Sequence, residues 1–383
     1  MSLMTENKAK WAGTIKRAAW IRVGALGDLL VGLASLAEMH EFFPAARVMV
    51  VGPRLWLEII QASHFPWIDS IAVIERRKTS ALIYRNTGAG WAQEGNAQEL
   101  RMVLRGFDAV VNTNIDSTRY AWEAFRAGVQ TRIGSAPSLA SLLYTHSSPF
   151  FGKDPLVHER DVPLLLMEFA TSGAQRFLRS TAQNRCVLDH WIATSELVKK
   201  WRQHGLPAAK TPLNETVTKL APSLKGRYVL VNPTSSRREK AWPSASFKAL
   251  IEKIEAPFSE KGIHIAVIGS GQESEWLREV AGSRFAIVQP ATIGELQDVV
   301  HHAEALVTNT SSMQFIAASC GTKTLTLMGR ARPEIWGPLG PKDHYILGQP
   351  PNDLAHDIFS QELEGYRSIS VEAVADKLTE MIL

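Results

Sequence analysis

Three short stretches of the chain gather side chains able to handle a proton or an anion. The first, RVGALGDLLVG (residues 22–32), ends an apolar run at Gly24 and sets Asp28 beside Gly27 as a second apolar run begins. A carboxylate there has two readings: a helix cap, because Asp is among the best N-cap residues, or a general base held where a strand hands over to a helix. The second stretch, TSSRREKAWP (residues 234–243), offers the hydroxyls of Thr234, Ser235 and Ser236 and then Lys240, just ahead of Trp242 and Pro243. Hydroxyl donors and a lysine point charge suit a phosphate or diphosphate; the plainer reading is a solvated loop. The third is VTNTSSMQFIAASCG (residues 307–321). Asn309 is its expected N-cap, so that the amides of Thr310, Ser311 and Ser312 face out of the positive end of a helix, an anion site that needs no metal.

The elements around these stretches follow from the apolar pattern. In the first half, AAWIRVG, ARVMVVG, IDSIAVIE and FDAVVNTN read as strands, each followed by an amphipathic segment such as DLLVGLASLAEMHEFFP or NAQELRMVLRG. The second half repeats the rhythm with RYVLVNP, IHIAVIG, FAIVQ, EALVTN and KTLTLMG as strands. Short apolar strands alternating with amphipathic helices predict an α/β fold, two doubly wound parallel-sheet domains in tandem. Residues 171–225 are polar with breaks at GLPAAKTPLNE, which places the boundary near residue 205. The expected parts are residues 1–205, residues 206–365, and a terminal helix in 366–383 that is free to pack back on the N-terminal domain. Sheets of this kind bind ligands at their strand carboxyl ends, so the three equipped turns are expected to face an inter-domain cleft.

Composition narrows the alternatives. With 42 Lys+Arg against 38 Asp+Glu the chain is only mildly basic, which argues against nucleic acid as a partner and permits an anionic one. The chain contains no run of apolar residues long enough to span a bilayer. Its first residues lack the apolar core of a secretory signal, and the two cysteines, Cys186 and Cys320, form no disulfide framework or zinc spacing. A cytoplasmic protein without a metal or cofactor is expected. A dinucleotide oxidoreductase is disfavoured because GALGD lacks the third spaced glycine and RVMVVGPR ends without the acidic residue that holds a ribose. There is no Gly-x-x-x-x-Gly-Lys-Ser/Thr loop and no Gly-x-Ser-x-Gly elbow.

Taken together, in this order, the stretches resemble glycosyltransferase family 9, the ADP-heptose:lipopolysaccharide heptosyltransferases, over about residues 19–345. IRVGALGDLLVGLASLAEMHEFFP is similar to the family's opening strand, Gly-Asp turn and helix. VLVNPTSSRREKAWP is similar to its strand followed by Lys-x-Trp-Pro, and ALVTNTSSMQFIAASCGTKTLTLMG to its Asp-Thr-Gly-x-x-His-x-Ala segment. The resemblance implies a GT-B fold of two Rossmann-like domains, the N-terminal one for the acceptor and the C-terminal one for the nucleotide sugar. It implies inverting transfer of a heptose or related sugar, with ADP-heptose as donor and a lipopolysaccharide inner-core or other bacterial glycan as acceptor. Carried over residue by residue, Asp28 matches the catalytic base, Lys240 the diphosphate-binding lysine, Thr234 a nearby donor-site hydroxyl, and Thr310 the central threonine of the third motif; Ser235 adds a hydroxyl beside Thr234 that suits the leaving diphosphate. Asn309, Ser311, Ser312 and Gln314 fall in the same donor segment. Asn309 and Ser311 stand where the family has Asp and Gly, and Gln314 where it has His. That loss of charge keeps open a second reading, a non-catalytic relative that binds a nucleotide sugar or glycan. Arg76, Arg77 and Lys78 form a basic loop after the third strand, either solvated or acceptor-binding. For an anionic glycolipid acceptor they would also favour peripheral contact with the inner membrane.

Overall fold

The computed structural model describes residues 11–383 apart from 62–64, 75–79, 89, 115–117, 136–137, 148–156, 172–192, 209–213, 223, 225, 341 and 350–357. The chain divides into two compact units, Met1–Trp201 and Arg202–Leu383. The division falls a few residues before the boundary expected near 205.

The first unit runs β1 (Arg17–Ile21), α1 (Leu26–Phe42), β2 (Arg47–Gly52), α2 (Leu55–Gln61), β3 (Ile68–Ile74), β4 (Ser80–Asn86), β5 (Trp91–Glu99), α3 (Leu100–Val103), β6 (Ala109–Asn112), α4 (Thr118–Arg126), β7 (Thr131–Gly134), a 3-10 helix (Ser138–Leu143), β8 (His146–Ser147), α5 (Asp161–Thr171) and α6 (Glu196–His204), the last crossing into the second unit. Its sheet has the order β5-β4-β3-β2-β1-β6-β7-β8. Strands β1, β2, β3, β6, β7 and β8 are parallel, and β1, β2 and β6 are buried along nearly their whole length, as strands covered on both faces are. The edge departs from expectation: β4 and β5 add antiparallel strands, and NAQELRMVLRG, expected as one helix, is strand up to Glu99 with helix only over Leu100–Val103. Cross-strand pairing with β4 captures the polar NAQE segment, a choice that local periodicity does not register.

The second unit continues with α7 (Asn214–Leu220), β9 (Arg227–Asn232), α8 (Ser244–Ser259), β10 (Ile263–Ile268), α9 (Ser274–Ala281), β11 (Ala286–Val288), α10 (Ile293–His301), β12 (Ala305–Asn309), α11 (Ser312–Cys320), β13 (Lys323–Met328), α12 (Pro333–Trp336), β14 (Asp343–Leu347), α13 (Ile358–Arg367) and α14 (Val371–Ile382). Its sheet is wholly parallel in the order β11-β10-β9-β12-β13-β14. Counted within the unit this is the 3-2-1-4-5-6 arrangement of a dinucleotide-binding sheet, whose strand order reverses between β9 and β12. The first unit has the corresponding reversal between β1 and β6. Helix α14, which sequence alone left free to return to the N-terminal domain, instead belongs to the second unit. Its Val374, Ala375, Leu378 and Met381 join the core with Phe247, Leu250 and Ile254 of α8, and Ser370 caps it by accepting from the Ala373 amide at 3.2 Å. A stripe of apolar residues with helical spacing is buried by the nearest apolar helix face, here α8.

Candidate active site

In the first unit the candidate residues lie at the β1/β6 reversal. Asp28 is not the N-cap of α1; that position is Ala25, and Asp28 is the third helical residue, its Oδ2 accepting from the Ala25 amide at 2.9 Å. One carboxylate oxygen therefore satisfies the amide at the start of the helix from inside its first turn, while, among the described residues, no hydrogen bond engages Oδ1. Gly24 makes room for it: a Cβ at position 24 would sit 2.5 Å from Asp28 Cβ and 2.6 Å from Oδ2. Gly24→Ala should thus displace the carboxylate and destabilise the unit by about 2 kcal/mol, an overpacking effect. Chemical denaturation checks this, and an unfolding midpoint equal to wild type would show that the turn has slack.

Behind Asp28 lies Arg22, buried to 4% exposure at the end of β1. Its Nε donates to the Asp28 carbonyl at 2.9 Å, one terminal nitrogen donates to the Thr113 carbonyl at 2.6 Å, and the other pairs with Glu159 at 3.6 Å. Burial lowers the pKa of this guanidinium, opposed by Glu159 and Asp28, and burial raises that of Glu159, opposed by Arg22. The turn is held from the other side by β6. Thr113 donates its amide and hydroxyl to the Ile21 carbonyl, and Asn114 accepts from the Val23 amide at 2.8 Å. Sequence reasoning missed Arg22 and Glu159. The arginine in the otherwise apolar AAWIRVG was a signal, whereas nothing local marked Glu159. Arg76, Arg77 and Lys78 lie outside the described residues.

In the second unit the candidate residues lie at the β9/β12 reversal, and a buried polar network joins them. Asn232 at the end of β9 donates to Thr234 Oγ1 at 3.1 Å and to the Ile268 carbonyl at 2.8 Å, and accepts from Thr308 at 3.0 Å. Thr308 in turn lies 3.2 Å from Ser311 Oγ. Asn309 is fully buried at the end of β12. Its Oδ1 accepts from the Trp242 amide at 2.8 Å, and its Nδ2 donates to the carbonyls of Pro233 and Thr234 at 2.9 and 3.3 Å. The expectation that Asn309 caps the following helix is thereby corrected. Its amide group clasps the loop 233–242 at both ends, and the cap of α11 is Ser311, whose Oγ accepts from the Met313 amide at 3.3 Å. An amide side chain does this because it carries donors and an acceptor at once, which a carboxylate does not.

The shift of the cap moves the set of outward amides. Thr310 is committed, its amide donating to the Leu327 carbonyl at 3.0 Å, so the first-turn amides without an intrahelical acceptor include those of Ser312 and Gln314. Ser235 and Ser312 are half-buried. Gln314 is fully buried; its Nε2 donates to the Trp336 carbonyl at 2.9 Å, while its Oε1 has no partner among the described residues.

Lys240 ends a short 3-10 helix (Arg238–Lys240) within the clasped loop, its side chain 40% exposed and its Nζ 4.0 Å from Glu362. Burial raises the pKa of Glu362, opposed by Lys240 and by Arg330. Glu362 sits on α13, which lies close against the end of β13 because Gly329 has no side chain there: a Cβ would run into the Glu362 carbonyl and the Tyr366 ring. Arg330 and Glu362 were the second pair that the sequence did not reveal. What the arrangement can do is accept a diphosphate at Lys240 and the open amides, with fixed charges and dipoles in place beforehand.

Three comparisons bear on this geometry. Residues 182–359 match the family model described as glycosyltransferase family 9 (heptosyltransferase). Lipopolysaccharide heptosyltransferase 3 of Escherichia coli is 23% identical over 322 residues, covering 82% of this chain and 83% of that protein. Among solved structures, the E. coli ADP-heptose lps heptosyltransferase II is similar with a TM-score of 0.67 at 16% identity, over 96% of this chain and 98% of that one. A family 9 glycosyl transferase from Veillonella parvula gives 0.65 at 16% identity, over 96% and 97% of the two chains. The E. coli heptosyltransferase WaaC with ADP gives 0.62 at 15%, over 95% and 99%. At these identities the structural likenesses speak for the fold.

Proposed function

We propose that this chain is a member of glycosyltransferase family 9 and moves a heptose or related sugar from a nucleotide-diphosphate donor to a lipopolysaccharide inner-core or other bacterial glycan acceptor, with inversion at the anomeric carbon. The supporting observation is that the strand-order reversal of each unit, where doubly wound sheets bind ligands, carries the group that this reaction needs: Asp28 in one, Lys240 with the α11 amides in the other. ADP-heptose is the proposed donor, in keeping with the relatives whose names carry ADP or ADP-heptose.

In a single displacement the acceptor hydroxyl attacks the anomeric carbon, its proton passes to Asp28, and the sugar–phosphate bond breaks with the electron pair leaving on the diphosphate. Asp28 Oδ1 is the oxygen free to take that proton. Negative charge growing on the diphosphate is met by Lys240, by the Thr234 and Ser235 segment and by the first-turn amides of α11, donors worth about 3 kcal/mol each when preorganised. Arg22 and Glu159 hold Asp28 from behind rather than reacting. The neutral Asn309 and Gln314, where the family has Asp and His, fit the same reading, because both are engaged with backbone carbonyls.

The test pairs binding with turnover. Thermal shifts with ADP, UDP, GDP and CMP and their sugars should pick out the adenine series, since a ligand at 100 times its Kd adds about 2.7 kcal/mol to the folded state. Release of ADP from ADP-heptose should then depend on an inner-core acceptor. Lys240→Ala should weaken ADP at least tenfold while leaving adenosine within about twofold, because a lost charge-assisted contact is worth about 1.5–3 kcal/mol. Equal losses for both would remove Lys240 from the diphosphate, and binding without turnover would support the non-catalytic reading instead.

A further inference from the structure

Lys240 faces a carboxylate that the transfer reaction does not call for. Glu362, on α13, has a side chain only 15% exposed, and its Oε2 lies 4.0 Å from Lys240 Nζ. Three glycines bring it there. A Cβ on Gly329 would run into the Glu362 carbonyl, one on Gly365 into the Gly329 carbonyl, and one on Gly348 into the Gly365 carbonyl, so the backbone of α13 lies directly on the chain leaving β13 and β14. One helical turn beyond Glu362 and on the same face, Tyr366 sets its fully buried ring against Gly329 and its hydroxyl beside Thr310. Helix α13 thus reaches two donor-side residues at once, and its place leaves little slack.

An ion pair that merely holds the loop is the plainer account, and two observations tell against it. The loop is held without it: Asn309 clasps residues 233–242 at both ends, and buried Trp242 donates from Nε1 to the Ile369 carbonyl at 3.0 Å. The pair is also loose. At 4.0 Å it is longer than the about 2.7–2.9 Å of a charge-assisted hydrogen bond, and among the described residues no hydrogen bond engages Lys240 Nζ. Taking a carboxylate largely out of water is costly, so its placement beside Lys240 and Arg330, at strand ends that suit an anion, calls for a use.

We propose that Glu362 is the resident counterion of Lys240: it holds the ammonium before the donor arrives, yields it to the incoming diphosphate, and by its own charge loosens the nucleoside diphosphate left after transfer. The inference rests on the assignment of Lys240 to the diphosphate. Glu362 acts through Lys240 and touches no reacting atom, which makes it a positioning residue. Its charge and the phosphates compete for one cation, so removing it strengthens nucleotide binding, the opposite of what the loss of a structural contact does.

Calorimetric titration of the full chain with ADP and with adenosine tests this. Glu362→Gln keeps the side chain's shape and removes its charge, and it should bind ADP about tenfold tighter than wild type, within the usual range of coupling between two ligands of one group. Adenosine, which has no phosphate, should stay within about twofold, and Glu362→Asp, which keeps the charge, should hold ADP within about threefold of wild type. In a Lys240→Ala background the gain from Glu362→Gln should shrink to about threefold or less, because there is no ammonium to release. Melting temperatures equal to wild type identify the variants as folded, and Glu362→Ala serves as a second neutral variant. Unfolding of both neutral variants would make the carboxylate a structural group and overturn the proposal. Unchanged or weaker ADP binding by folded Glu362→Gln overturns it too, as does an equal gain for adenosine or an equal gain in both backgrounds. If Lys240→Ala still weakens ADP selectively in those cases, the diphosphate assignment survives and only the counterion role falls; if Lys240→Ala binds ADP like wild type, both fall.

Discussion

Asp28→Asn should lower transfer roughly 100- to 10,000-fold, the range expected when a general base is removed, while leaving the protein folded and able to bind the donor. The geometry separates the two roles of the residue. The side-chain carbonyl of Asn can still accept from the Ala25 amide, as Asp28 Oδ2 does at 2.9 Å, so the start of α1 keeps its bond. What the variant loses is a charge near a helix N-terminus, worth about 0.3–1 kcal/mol, and the oxygen that would carry the acceptor's proton. The measurement is turnover alongside denaturant unfolding and ADP affinity. Transfer within twofold of wild type would leave Asp28 as a capping residue only. A loss of stability well beyond the charge–dipole range would mean that the turn, not the base, had been destroyed.

Asn309→Asp should destabilise the second unit by about 3 kcal/mol at neutral pH, the cost of breaking a buried arrangement and leaving a charge uncompensated. From sequence the substitution looks harmless, since either residue caps a helix. In the structure Asn309 caps nothing, and its Nδ2 donates to two backbone carbonyls, those of Pro233 and Thr234. A carboxylate oxygen in that place would face those carbonyls without a proton. The folded protein therefore raises the pKa of the introduced carboxyl above its unfolded value, and the penalty has a definite pH sense. It is absent below the unfolded pKa, where the carboxyl is protonated in both states, and it grows as pH rises toward the folded pKa. Denaturation of the variant and wild type across the acid range checks this, and a pH-independent difference would count against it. Because the clasped loop carries Lys240, ADP affinity should fall along with stability, whereas Asn309→Ala should lose both without the pH dependence.

How much of this was legible follows from the range of the interactions. The strands around the three motifs and the helices after them are written as apolar runs and helical periodicity. So are the glycine before Asp28 and the hydroxyls after β9 and β12, because a turn's chemistry lies within a few residues. The placement of each motif at a strand's carboxyl end, and hence the candidate status of Asp28, Lys240 and Thr310, needed nothing more. The antiparallel β4–β5 edge was not legible, since a polar strand is selected by its partner. Nor was the position of α14, since its apolar stripe specifies that it must be covered and not by what.

Two α/β units and the turns to examine are legible along the chain, because each depends on residues close together in sequence. Tertiary structure alone decided what the residues in those turns are bonded to. Trp242 and Asn309 are 67 positions apart and meet only because β9 and β12 are neighbours at the strand-order reversal. Arg22 and Glu159 meet across the first unit, and Lys240 and Glu362 across the second. Local sequence sets a residue's chemical type and its place in an element, but a hydrogen bond or ion pair also needs a partner at a fixed distance. For residues far apart along the chain, that distance is set by strand order and by the packing of helices on the sheet.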